Sequence, residues 1–132
     1  MGVLTPAIKP ALQGVVPAEL YTCSLDGTPN NAVISQVYWV DEDHVALSFQ
    51  FFNKTIRNIR ENPQAFCEVI DPGTGRIWCL DLRYERSEDQ GEVFERMEMQ
   101  LEAIASAMDL VGVFKLKAAD IYRVVAVRSI SG

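Results

Sequence analysis

The stretch VALSFQFFNKTIRNIRENP, Val45 to Pro63, most constrains what this chain can fold into, because its repeat changes in the middle. Val45, Leu47 and Phe49 alternate with Ala46, Ser48 and Gln50, the two-residue period of a pleated strand. From Asn53 the period lengthens: Ile56, Ile59 and Arg60 recur at helical spacing, Asn53 suits an N-cap, and Pro63 pushes the preceding residue out of the helical region. A strand therefore feeds a short helix over residues 54–61. The start of that helix leaves backbone N–H groups unpaired, and Lys54, Thr55 and Arg57 stand beside them, a concentration of donors for an anion such as phosphate. The same residues also suit an ordinary capped helix with solvated basic groups. Phe51 and Phe52 precede the cluster, and one of two adjacent aromatics faces outward unless something flat or apolar covers it.

The 132 residues suit one domain, 1–132, with a real hydrophobic core. Twelve basic against eighteen acidic residues give a net charge of −6, which repels nucleic acid and anionic membranes, so any anion must be held by a local site. The apolar runs fall short of the roughly 20 residues a membrane span needs, and no leader-like segment opens the chain. A cytoplasmic protein is expected. Cys23, Cys67 and Cys79 are odd in number, form no CxxC pair and lie in strand-like stretches, so they read as small buried hydrophobes rather than metal ligands.

Thr5-Pro6 opens a short helix with Leu4, Ile8 and Leu12 on its apolar stripe, ending at Gly14. AELYTCSL is a strand, and Asp26-Gly27 with Thr28-Pro29 turns it into a second strand, NAVISQVYWV, with the Val45 strand following to make three antiparallel neighbours in succession. After the helix, QAFCEVID returns as a strand and breaks at Pro72-Gly73. In the next strand, RIWCLDLRYER, the face bearing Trp78, Leu80, Leu82 and Tyr84 points to the core. Asp89 and Glu92 resemble a capping box for a long helix whose stripe runs through Val93, Phe94, Met97, Leu101, Ile104, Ala105 and Met108. GVFKL and DIYRVVAVRSI then read as two strands, or as one with a break. About six strands joined by hairpin turns predict a mainly β fold, an antiparallel barrel with flanking α-helices.

The order of hairpin, strand, NKTIRNIRENP and strand resembles the pyridoxamine 5′-phosphate oxidase-like family of FMN-binding split barrels. The resemblance rests on SLDGTPN, VISQVYWV, LSFQFFNKT and IRNIRENPQAFCEVID, and more loosely on the C-terminal strands. It implies a six-stranded antiparallel split barrel, a homodimer with FMN in clefts at the subunit interface, and a small-molecule substrate or redox partner. By the resemblance, Lys54 and Thr55 match phosphate-binding positions, where Asn53 replaces a frequent basic residue. Ser35, Gln36 and Val37 match the strand beneath the flavin ring, and Ser48 matches a position near the ribityl chain or phosphate. Val33, Phe51 and Phe52 would line a slot for the ring, and Gln50, Tyr21 and Tyr38 are candidates for its open side. The Arg, His and Tyr cluster of the pyridoxine-phosphate pocket has no counterpart here, so true pyridoxamine 5′-phosphate oxidase activity is not expected.

The implied activity is flavin-dependent oxidoreduction, with no side-chain acid or base standing out as catalytic. The alternative is a non-catalytic flavin-binding or ligand-sensing module, since the long helix and the ending resemble family members that stand beside GAF domains. A deazaflavin would need more cations at the cleft mouth than Arg57, Arg60 and Arg123 supply. Haem would depend on His44, the single histidine, which sits in the acidic turn DEDH and reads as a solvated loop residue. Trp39, Phe51, Phe52 and Trp78 are many large apolar groups for so small a barrel, which gives dimerisation a physical motive.

Overall fold

The computed structural model describes residues 2–12, 17–34, 37–49, 53–107 and 116–130. A 3₁₀ helix, Pro6–Leu12, precedes strands β1 (Ala18–Cys23), β2 (Pro29–Ile34), β3 (Val37–Asp41) and β4 (His44–Phe49). Helix α1 (Asn53–Glu61), strands β5 (Gln64–Ile70) and β6 (Ile77–Glu88), helix α2 (Glu92–Ala107) and strand β7 (Ala118–Ile130) follow. All pairings are antiparallel, in the order β2-β1-β5-β6-β7-β4-β3.

The mainly β split barrel expected from the sequence is present with seven strands rather than six. The extra strand arises inside NAVISQVYWV. It was expected as one strand pairing on both sides, yet β2 and β3 lie at opposite ends of the sheet. The chain leaves one sheet edge and joins the other within two residues, which draws the edges together. Inward side chains from all seven strands then share one core, including Leu20, Ile34, Val37, Leu47, Val69, Leu80 and Tyr122.

Three further expectations shift. The N-terminal helix is 3₁₀, consistent with Pro10 inside it, whose missing N–H and ring disfavour α-helical bonding. It still buries Ile8 and Leu12 in the barrel core, and Lys9 lies 4.6 Å over the Trp39 ring. The proposed Asp89/Glu92 capping box is displaced: Glu95 N–H donates to the Gly91 carbonyl at 3.0 Å, and Gly91 takes φ +101°, a left-handed value that suits glycine. The C-terminal region holds one strand, Ala118–Ile130, while GVFKL and Met108 lie outside the described residues.

On β6 the predicted inward face holds, with Leu80 and Leu82 buried and Trp78 and Tyr84 packed against them. Helix α2 covers a second cluster on the outside of the sheet, where Met97 and Leu101 meet Ala46, Ala119 and Ile121. This is the stripe the sequence placed on that helix. Among the described residues no helix is long and apolar enough to cross a membrane.

Two polar contacts hold the α1 end of the barrel. Asn58, 3 % exposed, donates from Nδ2 to Thr22 Oγ1 at 3.2 Å and ties α1 to β1. Beyond it, Tyr84 N–H donates to the Pro63 carbonyl at 2.8 Å, fixing the chain after α1 on β6. Asp120, on β7, points to the same interior face as Tyr122. Ser87 Oγ donates to Asp120 Oδ1 at 2.5 Å, which leaves the 2.7 Å contact between Tyr84 and Ser87 for the tyrosine hydroxyl to donate. Burial raises the Asp120 carboxyl to about 6, against the lowering pull of the Ser87 hydrogen bond and Arg60.

These contacts yield two stability predictions. Asn58→Ala leaves the Thr22 hydroxyl without its buried partner and should cost about 1–3 kcal/mol in urea unfolding, with Thr22→Val adding little further loss in that background. For Asp120, the folded-state pKa lies above the unfolded value, so its favourable contribution is complete below about pH 4 and is lost as pH rises through about 6. Asp120→Asn should therefore be more stable than the parent by roughly 2–3 kcal/mol at pH 8, with the advantage disappearing near pH 4. Equal urea midpoints for the two proteins at pH 8 would refute the assignment.

Candidate functional site

The strand-to-helix junction forms as the sequence predicts. Strand β4 ends at Phe49, and α1 begins at Asn53, so Asn53, Lys54 and Thr55 form its first turn. That turn contains no acidic residue, and its backbone N–H groups have no partner one turn earlier in the helix. The positive end of the helix dipole is thus left without an intrahelical counter-charge, the local condition an anion needs. Arg57 and Arg60 are exposed further along α1. Ser48, the last-but-one residue of β4, is 3 % exposed and pairs in register with Ala119.

The remaining candidates divide between faces of the sheet. Val37 begins β3, pairs with Leu47 and sits 3 % exposed in the barrel core, so any contact it makes with a ligand is through its backbone. Val33 faces outward on β2, opposite Glu19, and is 55 % exposed. Ser35, Gln36 and Gln50, with Phe51 and Phe52, lie outside the described residues. The structure therefore brings Ser48 and the first turn of α1 to the end of one strand, and separates Val33 from Val37 by the sheet.

Tyr21 is on the outward face of β1, where its hydroxyl donates to the Glu19 carboxylate, and this bond raises its pKa to about 12. Tyr38 packs against the α2 cluster on the outer face. His44 is held on both sides, Nδ1 2.9 Å from Asp41 Oδ1 and Nε2 3.3 Å from Glu85 Oε1. Glu85 is the extra residue of a register shift between Tyr84 and Arg86, which brings it within reach of that ring. Burial raises the Cys67 thiol to about 12 and also raises Cys79, so neither is a ready thiolate. No three His, Cys, Asp or Glu among the described residues form a group that could hold a metal.

Sequence reasoning missed the buried acid Asp120, although the alternation Asp120, Tyr122, Val124 places it on an inward face. It also missed a cleft on the outside of β1, β5 and β6, with a volume of about 740 Å³ and Tyr21, Phe66 and Arg83 in its lining. That cleft joins residues distant in sequence and leaves no local motif.

No family model matches the sequence, and no curated protein matches it. Solved structures do match. An FMN-binding protein from Syntrophomonas wolfei subsp. wolfei superposes with a TM-score of 0.76 at 18% identity, over 95% of this chain and 86% of that one. An F420 reductase gives 0.66 at 17% identity, over 95% and 98%. HutZ, the heme storage protein from Vibrio cholerae, gives 0.61 at 18% identity, over 100% and 93%. At these identities the likeness is one of fold, and it joins the seven-stranded topology and the NKT junction in a single assignment: the chain has the split-barrel fold of the pyridoxamine 5′-phosphate oxidase-like, FMN-binding proteins.

Proposed function

We propose that this chain binds FMN and works as a flavin-dependent oxidoreductase on a small molecule or an electron partner. The observation that carries the reading is the junction of β4 with α1, where an acid-free first turn bears Lys54 and Thr55 at the end of a buried strand. A doubly charged phosphate suits that turn: the N–H groups and Thr55 would donate to its oxygens, and Lys54 would supply the neutralising charge. Arg57, on the next turn, would supplement it where Asn53 replaces a cation. The presence of an FMN-binding protein among chains of this fold supports the same reading. When bound, the flavin supplies hydride or electron transfer. The protein's own work is to hold the phosphate, orient the ring and keep water from it.

The flavin ring needs an apolar cover. We take the assembly to be a homodimer, with the second copy closing the cleft. Part of the sheet outside the α2 cluster is open to such a partner, including Val33 on β2.

F420 and heme name other members of this fold, and they suit this chain less well. The acidic tail of a deazaflavin needs a run of cations, against a net charge of −6. A heme held by histidine would require His44 to give up a contact with Asp41 or Glu85.

Purified protein mixed with FMN and freed of excess should keep the flavin absorption bands, and Lys54→Glu should lose them. A parent protein that stays colourless would refute the flavin reading and favour a sensing or dimerisation module. Sedimentation at micromolar concentration should give a dimer, and a monomer would remove the closed cleft.

A further inference from the structure

The register of the sheet places two unpaired cations side by side on its outer face. Arg83 on β6 pairs across strands with Arg123 on β7, and Gln64 stands opposite Arg83 on the other side. Residues opposed in this way project to the same side about 5 Å apart, where like charges repel and destabilise the pair. Both arginines are exposed, and neither makes an ion pair among the described residues. The carboxylate of Asp81, which lines the neighbouring cleft, has the Arg128 guanidinium 3.7 Å away as its counter-charge.

Beside this pair lies the cleft of about 740 Å³. Its aromatic wall is Tyr21 and Phe66, opposed in register, with ring centroids 5.7 Å apart at 53°. The cleft also takes in Asn62 at the end of α1, Gln64 and Val125. Val125 is the additional residue between Val124 and Ala126, where β6 and β7 change register, and it is 58 % exposed. An apolar floor, two amides, the Asp81 carboxylate and a cationic rim converge from five strands and the residue that follows α1. The volume falls within the range of small-ligand sites.

We propose that this cleft is a binding site for a planar aromatic carboxylate of about two fused rings. Its ring system would lie against Tyr21 and Phe66, and its carboxylate would bridge Arg83 and Arg123. A flat apolar group matches the aromatic wall, and one negative charge relieves the repulsion between the guanidinium groups. The site involves none of Ser48, Asn53, Lys54 or Thr55, which would hold the phosphate of FMN, and it takes Tyr21, a sequence candidate for the open side of the flavin ring, for a different ligand.

The test is calorimetric titration of the full chain with 2-naphthoate, beside the neutral 2-naphthamide. Saturable binding of naphthoate at one site per chain is expected. Combining Arg83→Gln with Arg123→Gln should weaken it about tenfold while leaving the amide unchanged. Phe66→Leu should weaken both ligands. Failure to saturate at millimolar concentration overturns the proposal, as does an affinity unaffected by the two arginine changes. A Phe66→Leu protein that turns from dimer to monomer with unaltered naphthoate affinity also overturns it and marks the face as an interface between copies. The absorption spectrum after FMN loading separates the two sites, since Arg83→Gln and Phe66→Leu should not alter retained flavin.

Discussion

The pairing of β6 with β7 is the interaction on which the rest of the molecule depends. Twelve residues run against thirteen, and the ladder changes register twice, between Asp81 and Leu82 and between Tyr84 and Arg86. Such irregularities bend a strand and increase its twist, which a sheet needs if its edges are to meet around one core. They also have local consequences. One inserts Val125 beside the outer cleft, and the other carries Glu85 to His44. Between them β7 keeps its alternation, with Tyr122 and Val124 inside the barrel and Ile121 beneath α2.

The elements legible in the sequence were those with a local cause. The alternation of β4, the helical spacing after Asn53, the Asp26-Gly27 turn and the apolar stripe of α2 each arise within a few residues of chain. The inward face of β6 followed from the same two-residue period. What escaped was non-local. Nothing within NAVISQVYWV reveals that its first half pairs with β1 and its second with β4, because the division answers to closure of the whole sheet. Gly91 displaced the expected capping box because the chain reaches α2 through a left-handed residue, a conformation glycine takes at little cost.

The candidate site divides along the same line. Its anion-binding half is a property of consecutive residues, so Lys54 and Thr55 emerge from sequence and stand in the first turn of a helix. Its ring-binding half depends on which face each strand residue takes. There the sheet separates Val33, which is open, from Val37, which is core. A resemblance can align both residues to a cofactor strand, but only the register decides whether a side chain or a backbone amide meets the ligand.

Charge arrangement distinguishes the two places where this acidic chain is proposed to hold an anion. At net −6 the long-range field opposes any approaching anion, so capture depends on groups within a few ångströms, where desolvation strengthens each contact. At the start of α1 the proposed attraction is helical, from peptide dipoles with the charge of Lys54 in the same turn, and suits a compact charge such as phosphate. On the outer sheet it comes from two guanidinium groups set next to an aromatic wall, and suits a charge attached to a flat ring. The acids around them are largely spent on other partners, Asp81 on Arg128 and Glu85 on His44 and Arg86. That engagement is what the two proposed anion sites of an overall negative chain depend on.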